Sequence, residues 1–316
     1  MEPIDSTAGA FVLADGGMET TLIYGRGIAL PLFSSFVLLE DEDGRAALRD
    51  YYAPYLALAE RHGVRFLLDT PTWRANRDWG AQLGYPPAAL DAVNRAAAAF
   101  VQELRDATGR PEAVVCAGVV GPRGDGYRAD DRGTADEAQA YHAAQIASFA
   151  AAGLDMVAAY TLTHTEEAVG IVRAARAAGL PVSIGVTVET DGRLPSGEGL
   201  REAVERIDHE TDGATAYFLV NCAHPTHFAS VLDDPGDWLT RIAGVRANAS
   251  TKSHAELDAA PDLDAGDPRE LADRYVELRA LLPGLTVVGG CCGTDDRHVA
   301  AICDALLAAP GRGPRG

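Results

Sequence analysis

About eight times along this chain, a short run of β-forming residues is followed by a longer, mostly alanine-rich helical stretch. The runs are Phe11–Asp15, Arg65–Asp69, Ala113–Val119, Met156–Thr161, Pro181–Val188, Thr215–Asn221, Ile242–Asn248 and Leu285–Gly289. Between them lie helical patterns at Gly44–His62, Pro87–Thr108, Thr134–Ala152, Thr165–Ala178, Gly199–Thr211, Asp267–Leu282 and Asp296–Ala308. Glycine follows the helical pattern at His62-Gly63, Thr108-Gly109, Ala152-Gly153 and Ala178-Gly179, where a helix stop is expected. Strand and helix alternating in this way make βαβ units and a parallel sheet. Eight units are what a closed (β/α)8 TIM barrel needs. An open doubly wound sheet is the alternative, but Asp15-Gly16-Gly17-Met18-Glu19 after the first strand lacks the G-x-G-x-x-G fingerprint. The expectation is one barrel over residues 1–308, with residues 309–316 a disordered tail. The polar stretch 249–267 reads as a long strand-to-helix connection. Ser253-His254-Ala255-Glu256 within it has the form of a capping box and starts a short helix.

Composition narrows the partners. The 316 residues carry a net charge of -19, spread along the chain, which disfavours nucleic acid and anionic membranes. No apolar run is long enough to span a bilayer, and the N-terminus lacks the basic start of a secretion signal. Five cysteines in a chain this long do not form a disulfide framework, so the reading is a cytoplasmic protein with reduced thiols. Nothing in the pattern sets the oligomeric state.

In a (β/α)8 barrel the active site lies at the C-terminal ends of the strands. Those ends collect Asp15-Gly16-Gly17, Asp69-Thr70-Pro71-Thr72-Trp73, Tyr160-Thr161, Asn221-Cys222, Asn248 and Gly290-Cys291-Cys292-Gly293. Polar residues at strand ends are also ordinary turn residues. Three thiols there are less ordinary. Neighbouring side chains in a strand point to opposite faces, so Cys291 and Cys292 can serve one site only if the backbone leaves the strand there, which the flanking glycines permit. Cys222, Cys291 and Cys292 suggest a zinc with an open fourth position. The spacing matches no zinc finger, and no H-E-x-x-H motif is present. The alternative is a buried or redox-active vicinal pair. His224 and His227 read as surface loop residues. Cys116 and Cys303 read as buried small hydrophobes.

These motifs together resemble the zinc-dependent homocysteine S-methyltransferase family. The resemblance rests on Asp15-Gly16-Gly17-Met18-Glu19-Thr20, Gly118-Val119-Val120-Gly121-Pro122-Arg123-Gly124, Asn221-Cys222-Ala223-His224-Pro225 and Gly289-Gly290-Cys291-Cys292-Gly293-Thr294, in the family's order over nearly the whole chain. It implies a (β/α)8 barrel with Zn2+ held by Cys222, Cys291 and Cys292. Asp15 and the amides near Gly16 and Gly17 would hold the amino-acid end of homocysteine, with Thr70, Trp73, Tyr160, Asn221 and Asn248 nearby. The partners are then a small-molecule thiol acceptor and a methyl donor. Coordination to zinc would ionise the thiol, whose reference pKa is about 8.5, and the thiolate would take a methyl group from a cationic donor. Folate-using members need further domains, so a small sulfonium or betaine-like donor is expected, S-methylmethionine or S-adenosylmethionine first. Trp73 and Tyr160 are candidate aromatic faces for that cation. Two positions depart from the family. A substrate-binding glutamate at the end of the fourth strand falls on Tyr160, and Thr-Asn-Thr becomes Thr70-Pro71-Thr72. A phenol cannot partner an ammonium as a carboxylate does, so either Asp15 or Asp69 takes that role or the acceptor is another thiol or selenol. A non-catalytic thiol-binding homologue and a zinc hydrolase are the readings from other classes.

Overall fold

A computed structural model describes residues 11–130 and 132–309. Residues 310–316 of the expected tail lie outside them. The sheet is a closed barrel of eight parallel strands in sequence order: β1 (Val12–Leu13), β2 (Arg65–Asp69), β3 (Val114–Val120), β4 (Met156–Leu162), β5 (Val182–Val186), β6 (Tyr217–Asn221), β7 (Ile242–Ala247) and β8 (Val287–Gly290). The ring closes where Val12 and Leu13 pair with Val287 and Val288. All eight strands fall where the sequence places them, shifted by a few residues at their ends. The strands read clearly because a barrel strand is covered on both faces, so its run is almost continuously apolar.

The two-residue side-chain period separates two cores. One set fills the barrel interior, including Leu67, Val115, Ala117, Met156, Ala158 and Leu219. The other packs the strands against the helices. The interior set also decides what caps it. Two residues on from Leu67, Ala158, Gly244 and Leu219, the same alternation brings up Asp69, Tyr160, Arg246 and Asn221. An apolar barrel is thereby closed at its C-terminal end by a polar layer.

The expected long helices form as Glu42–His62, Pro87–Asp106, Ala135–Ala151, Thr165–Ala177, Leu200–Glu210, Pro268–Leu281 and Asp296–Ala308. Gly63, at φ 66, ends the first of them. The capping box at Ser253 is made, and it starts the short helix His254–Asp258. The sixth unit has no long helix; Pro225–Phe228, a 3-10 turn at Ala229–Asp233 and Trp238–Arg241 fill that sector. Sequence reading also missed the helical turns at Met18–Thr20 and Thr21–Gly25 and the helix Arg77–Gln82. Each is too short to show a helical period. Among the described residues, no helix is long and apolar enough to cross a membrane.

Candidate active site

The three cysteines at the strand ends do come together. Their sulfurs lie within 4.8 Å of one another. Cys222 leaves β6 with a left-handed backbone, at φ 54. That conformation costs a non-glycine residue on the order of 1–3 kcal/mol. It is held by three donors on one carbonyl: the Cys222 oxygen accepts from His254 Nε2 at 2.6 Å, Asn248 Nδ2 at 2.9 Å and Thr187 Oγ1 at 3.4 Å. β7 ties the two cysteine loops to each other. Cys222 N donates to the Arg246 carbonyl at 3.1 Å, Cys291 N to the Ala247 carbonyl at 2.8 Å, and Ala249 N to the Cys292 carbonyl at 3.0 Å.

The glycines beside the cysteines allow close approach of the first and last units. A Cβ on Gly17 would lie 2.4 Å from the Cys291 carbonyl oxygen, and one on Gly290 2.0 Å from Thr294 Oγ1. Both distances are too short for a real side chain, so glycine at 17 lets the first turn pass the last, and glycine at 290 lets the turn at 291–294 fold back against its own strand. The Gly17 amide is engaged by Thr294, through its carbonyl at 3.0 Å and its hydroxyl at 3.2 Å.

Two hydroxyls reach the sulfurs. Thr161 Oγ1 donates to Cys222 Sγ at 3.7 Å, and Tyr127 Oη lies 3.7 Å from Cys292 Sγ. Thr161 is itself left-handed, at φ 62, beside the register shift in β4. Asn221 clamps it, accepting from its amide at 2.9 Å and donating to its hydroxyl at 2.8 Å. Sequence reading did not single out Thr161 or Tyr127. Tyr127 sits in the glycine-rich loop after β3, a position whose chemistry depends on where that loop folds.

The three sulfurs suit a thiophilic metal such as zinc. Burial above all, with the charge of Glu19 nearby, pushes the Cys292 thiol up to about 11 against the Tyr127 hydrogen bond, so a thiolate at neutral pH needs a cation beside it. Cys222 and Cys291 are joined as a disulfide in this structure, where free thiols were expected. The disulfide and a metal would use the same sulfurs, so only the reduced pair could hold zinc. Cys116 and Cys303 are buried and remote from the site, as expected. His224 and His227 are not surface residues but buried ones. His224 turns to Thr226 and Glu270, and His227 Nε2 donates to the Thr251 carbonyl at 2.8 Å.

Below the sulfurs lies the polar layer, built around a residue that sequence reading did not assign. Arg246 ion-pairs through Nη2 with Asp15 and through Nη1 with Asp69. Its Nε donates to the Gly290 carbonyl at 3.1 Å, and its guanidinium lies 4.9 Å from the Tyr160 ring centre. Tyr160 Oη donates to Asp69 Oδ2 at 2.9 Å, and Tyr51 Oη donates to Asp15 Oδ2 at 2.9 Å. Asp15, Asp69, Tyr160 and Arg246 are all more than nine-tenths buried. Burial pushes the Asp69 carboxyl up to about 7 against the opposing pull of Arg246. Burial likewise holds the Tyr160 phenol well above its ordinary value, so it stays a neutral donor.

A cavity of about 100 Å³ separates the polar layer from the three cysteines. Thr70, Trp73 and Asn221 also line it, although the Thr70 hydroxyl is engaged by Thr72 and the Val119 amide. Asn248 does not line this cavity; it stands behind Cys222. A second cavity of about 300 Å³ lies beyond it among the loops, sharing Thr20, Phe33, Trp73, Tyr127 and Cys292 with the first. Its wall adds Tyr24, the carboxylates of Asp125, Asp258 and Asp262, and Arg74. The Arg74 guanidinium lies over Trp73 and Trp79 at 4.5 and 3.6 Å, with its buried Nε lacking a hydrogen-bond partner among the described residues.

A sequence profile of homocysteine S-methyltransferases matches residues 12–306. No curated protein sequence matches the chain. Among solved structures, the barrel is similar to the metallated form of the homocysteine methyltransferase MmuM from Escherichia coli, with a TM-score of 0.73 and 22% identity over 92% of this chain and 95% of that one. The oxidized form of the same protein gives a TM-score of 0.73 and 21% identity, over 94% and 96% of the two chains. Its apo form gives 0.67 and 22%, over 93% and 95%.

Proposed function

Because the chain belongs to the homocysteine S-methyltransferase family, we propose that it makes methionine by zinc-dependent methyl transfer from a small cationic donor, with Cys222, Cys291 and Cys292 as the metal ligands. The observation that carries this reading is the convergence of three sulfurs within 4.8 Å, on the wall of a cavity at the catalytic end of the barrel. Bound there, zinc would supply the positive charge that keeps the acceptor's sulfur ionised at neutral pH.

The chain's own residues do the rest. The inner cavity holds the acceptor with its sulfur toward the cysteines. The outer cavity brings the donor's methyl group to that sulfur, so the reaction gains by proximity. A carbon–sulfur bond forms to the acceptor as the methyl–sulfonium or methyl–ammonium bond breaks. The bonding pair stays on the donor atom, which becomes neutral, and the acceptor's thiol proton has already left to solvent. Tyr127 has its hydroxyl 3.7 Å from Cys292 Sγ and lines the outer cavity, where its ring favours a cation by about 0.5–2 kcal/mol. Arg74 favours a donor that also carries a carboxylate, which a sulfonium amino acid does. Thr161 and Tyr127 hydrogen-bond the ligand sulfurs and so steady the thiolates.

The reduced, zinc-loaded protein should form methionine from homocysteine and S-methylmethionine, read by mass spectrometry, and should stop when a chelator removes the metal. Absence of methionine with every sulfonium and betaine donor would overturn the reading. Thr161→Ala removes the hydroxyl donor to Cys222 and should lower zinc affinity about 10- to 100-fold in competition with a chromogenic chelator. Unchanged affinity would show that this hydroxyl does not serve the metal site.

A further inference from the structure

The polar layer beneath the sulfurs is one cation short. Two carboxylates, Asp15 and Asp69, share one guanidinium, that of Arg246. We propose that Asp69 binds the acceptor's α-ammonium, in the role of the carboxylate that Tyr160 displaces; this rests on the reading of the acceptor as homocysteine.

The two acids are not equivalent. Both Asp15 oxygens have partners, Oδ1 in Arg246 and Oδ2 in the Tyr51 hydroxyl. On Asp69 both donors fall on one oxygen: Oδ2 accepts from Arg246 and from the Tyr160 hydroxyl. Asp69 Oδ1 is buried and has no hydrogen-bond partner among the described residues. Asp69 is 4% exposed and lines the same cavity as the three cysteines. A buried carboxylate oxygen without a donor is costly, and an ammonium supplies both the donor and the missing charge. Tyr160 then has a defined part. Its phenol holds Oδ2 and leaves Oδ1 for the ligand, so the acid of this layer is supplied by β2 rather than β4. Glu19 is the other carboxylate on the cavity wall, but it accepts from the Ser35 hydroxyl at 2.8 Å and belongs to no ion pair with Arg246.

The test compares homocysteine with 4-mercaptobutyrate, which keeps the thiol and the carboxylate and lacks the amine. Binding to the reduced, zinc-loaded protein is measured by calorimetry. The wild-type chain should prefer homocysteine by about 10- to 150-fold, the range of a hydrogen bond to a charged group. Asp69→Asn keeps the side-chain shape and should collapse that preference to within about fivefold, leaving 4-mercaptobutyrate binding unchanged. Glu19→Gln should retain the wild-type preference. The proposal is overturned if the wild-type chain has no amine preference, if Asp69→Asn keeps it, or if Glu19→Gln is the variant that loses it. Should Asp69→Asn fail to fold, Tyr160→Phe decides. Loss of the hydroxyl that orients Asp69 should cut the preference several-fold, and an undiminished preference counts against the proposal. A wild-type chain that shows the amine preference yet methylates neither thiol would sink the transfer reading and leave this one standing. Methylation of homocysteine with an Asp69→Asn preference intact would do the reverse.

Discussion

Cys291→Ala is expected to lose its zinc and, with it, methionine formation. Structural zinc sites bind with roughly 10–16 kcal/mol shared among four ligands, so one ligand is worth on the order of 3 kcal/mol, or more than 100-fold in affinity. Among the described residues the three sulfurs are the whole of the candidate ligand group, so the remaining two would have no fourth residue to recruit. Cys303→Ala is the matched control. It removes the same chemical group from a buried position on the helix Asp296–Ala308, away from the site, and should keep both metal and activity. Metal content by elemental mass spectrometry and methionine by product analysis read both variants. Full zinc and full transfer in Cys291→Ala would refute the assignment of the metal ligands.

Arg246→Met should produce the largest loss of stability of any single change at the site. The residue is 7% exposed and pairs with two buried carboxylates. Methionine fills much the same space without the charge. Removing one partner from a buried ion pair leaves an uncompensated charge and costs about 3–5 kcal/mol. The pH dependence separates charge from packing. The Asp69 carboxyl is raised in the folded protein from 3.8 to about 7. A carboxyl raised in this way favours folding below its unfolded value, and that contribution is lost as pH rises through 7. Arg246 opposes the rise. Without it Asp69 climbs further, and the window of loss extends to higher pH. Urea midpoints in the presence of a chelator should therefore show a larger deficit for Arg246→Met at pH 8 than at pH 5.5. Equal deficits at both would mean that Arg246 acts through packing alone.

What could be read from the sequence divides along physical lines. The eight strands were legible because each is buried on both faces, and the seven long helices because each runs long enough to show its stripe. The three cysteines were legible because thiols at strand ends have few structural reasons to be there. Arg246 was not, although it lay in view within Ile242–Ala247. Its partners are Asp15 and Asp69, 231 and 177 residues away, and no local pattern announces such a meeting. The signal that could have found it is the two-residue alternation itself. It turns a charged side chain into the barrel two positions after Gly244, where only a compensated charge survives. The same alternation marks Asp69 and Tyr160 as its neighbours. His224 and His227 were misread for the opposite reason. A loop is usually exposed, but the short turns of the sixth unit fold back and bury both rings.

The seam at which β1 meets β8 has a consequence for how the protein comes into being. Two of the three sulfurs lie just beyond that seam, and Cys291 stands 69 residues after Cys222. A growing chain that has not yet delivered its last strand owns one of the three sulfurs and no site. A metal centre built from these three sulfurs could assemble only when the ring is complete, after the pairing of β1 with β8 has been made. An ion bound there would then act as a clasp on the finished ring. It would oppose the step that unfolding must take first if the barrel opens at its own ends.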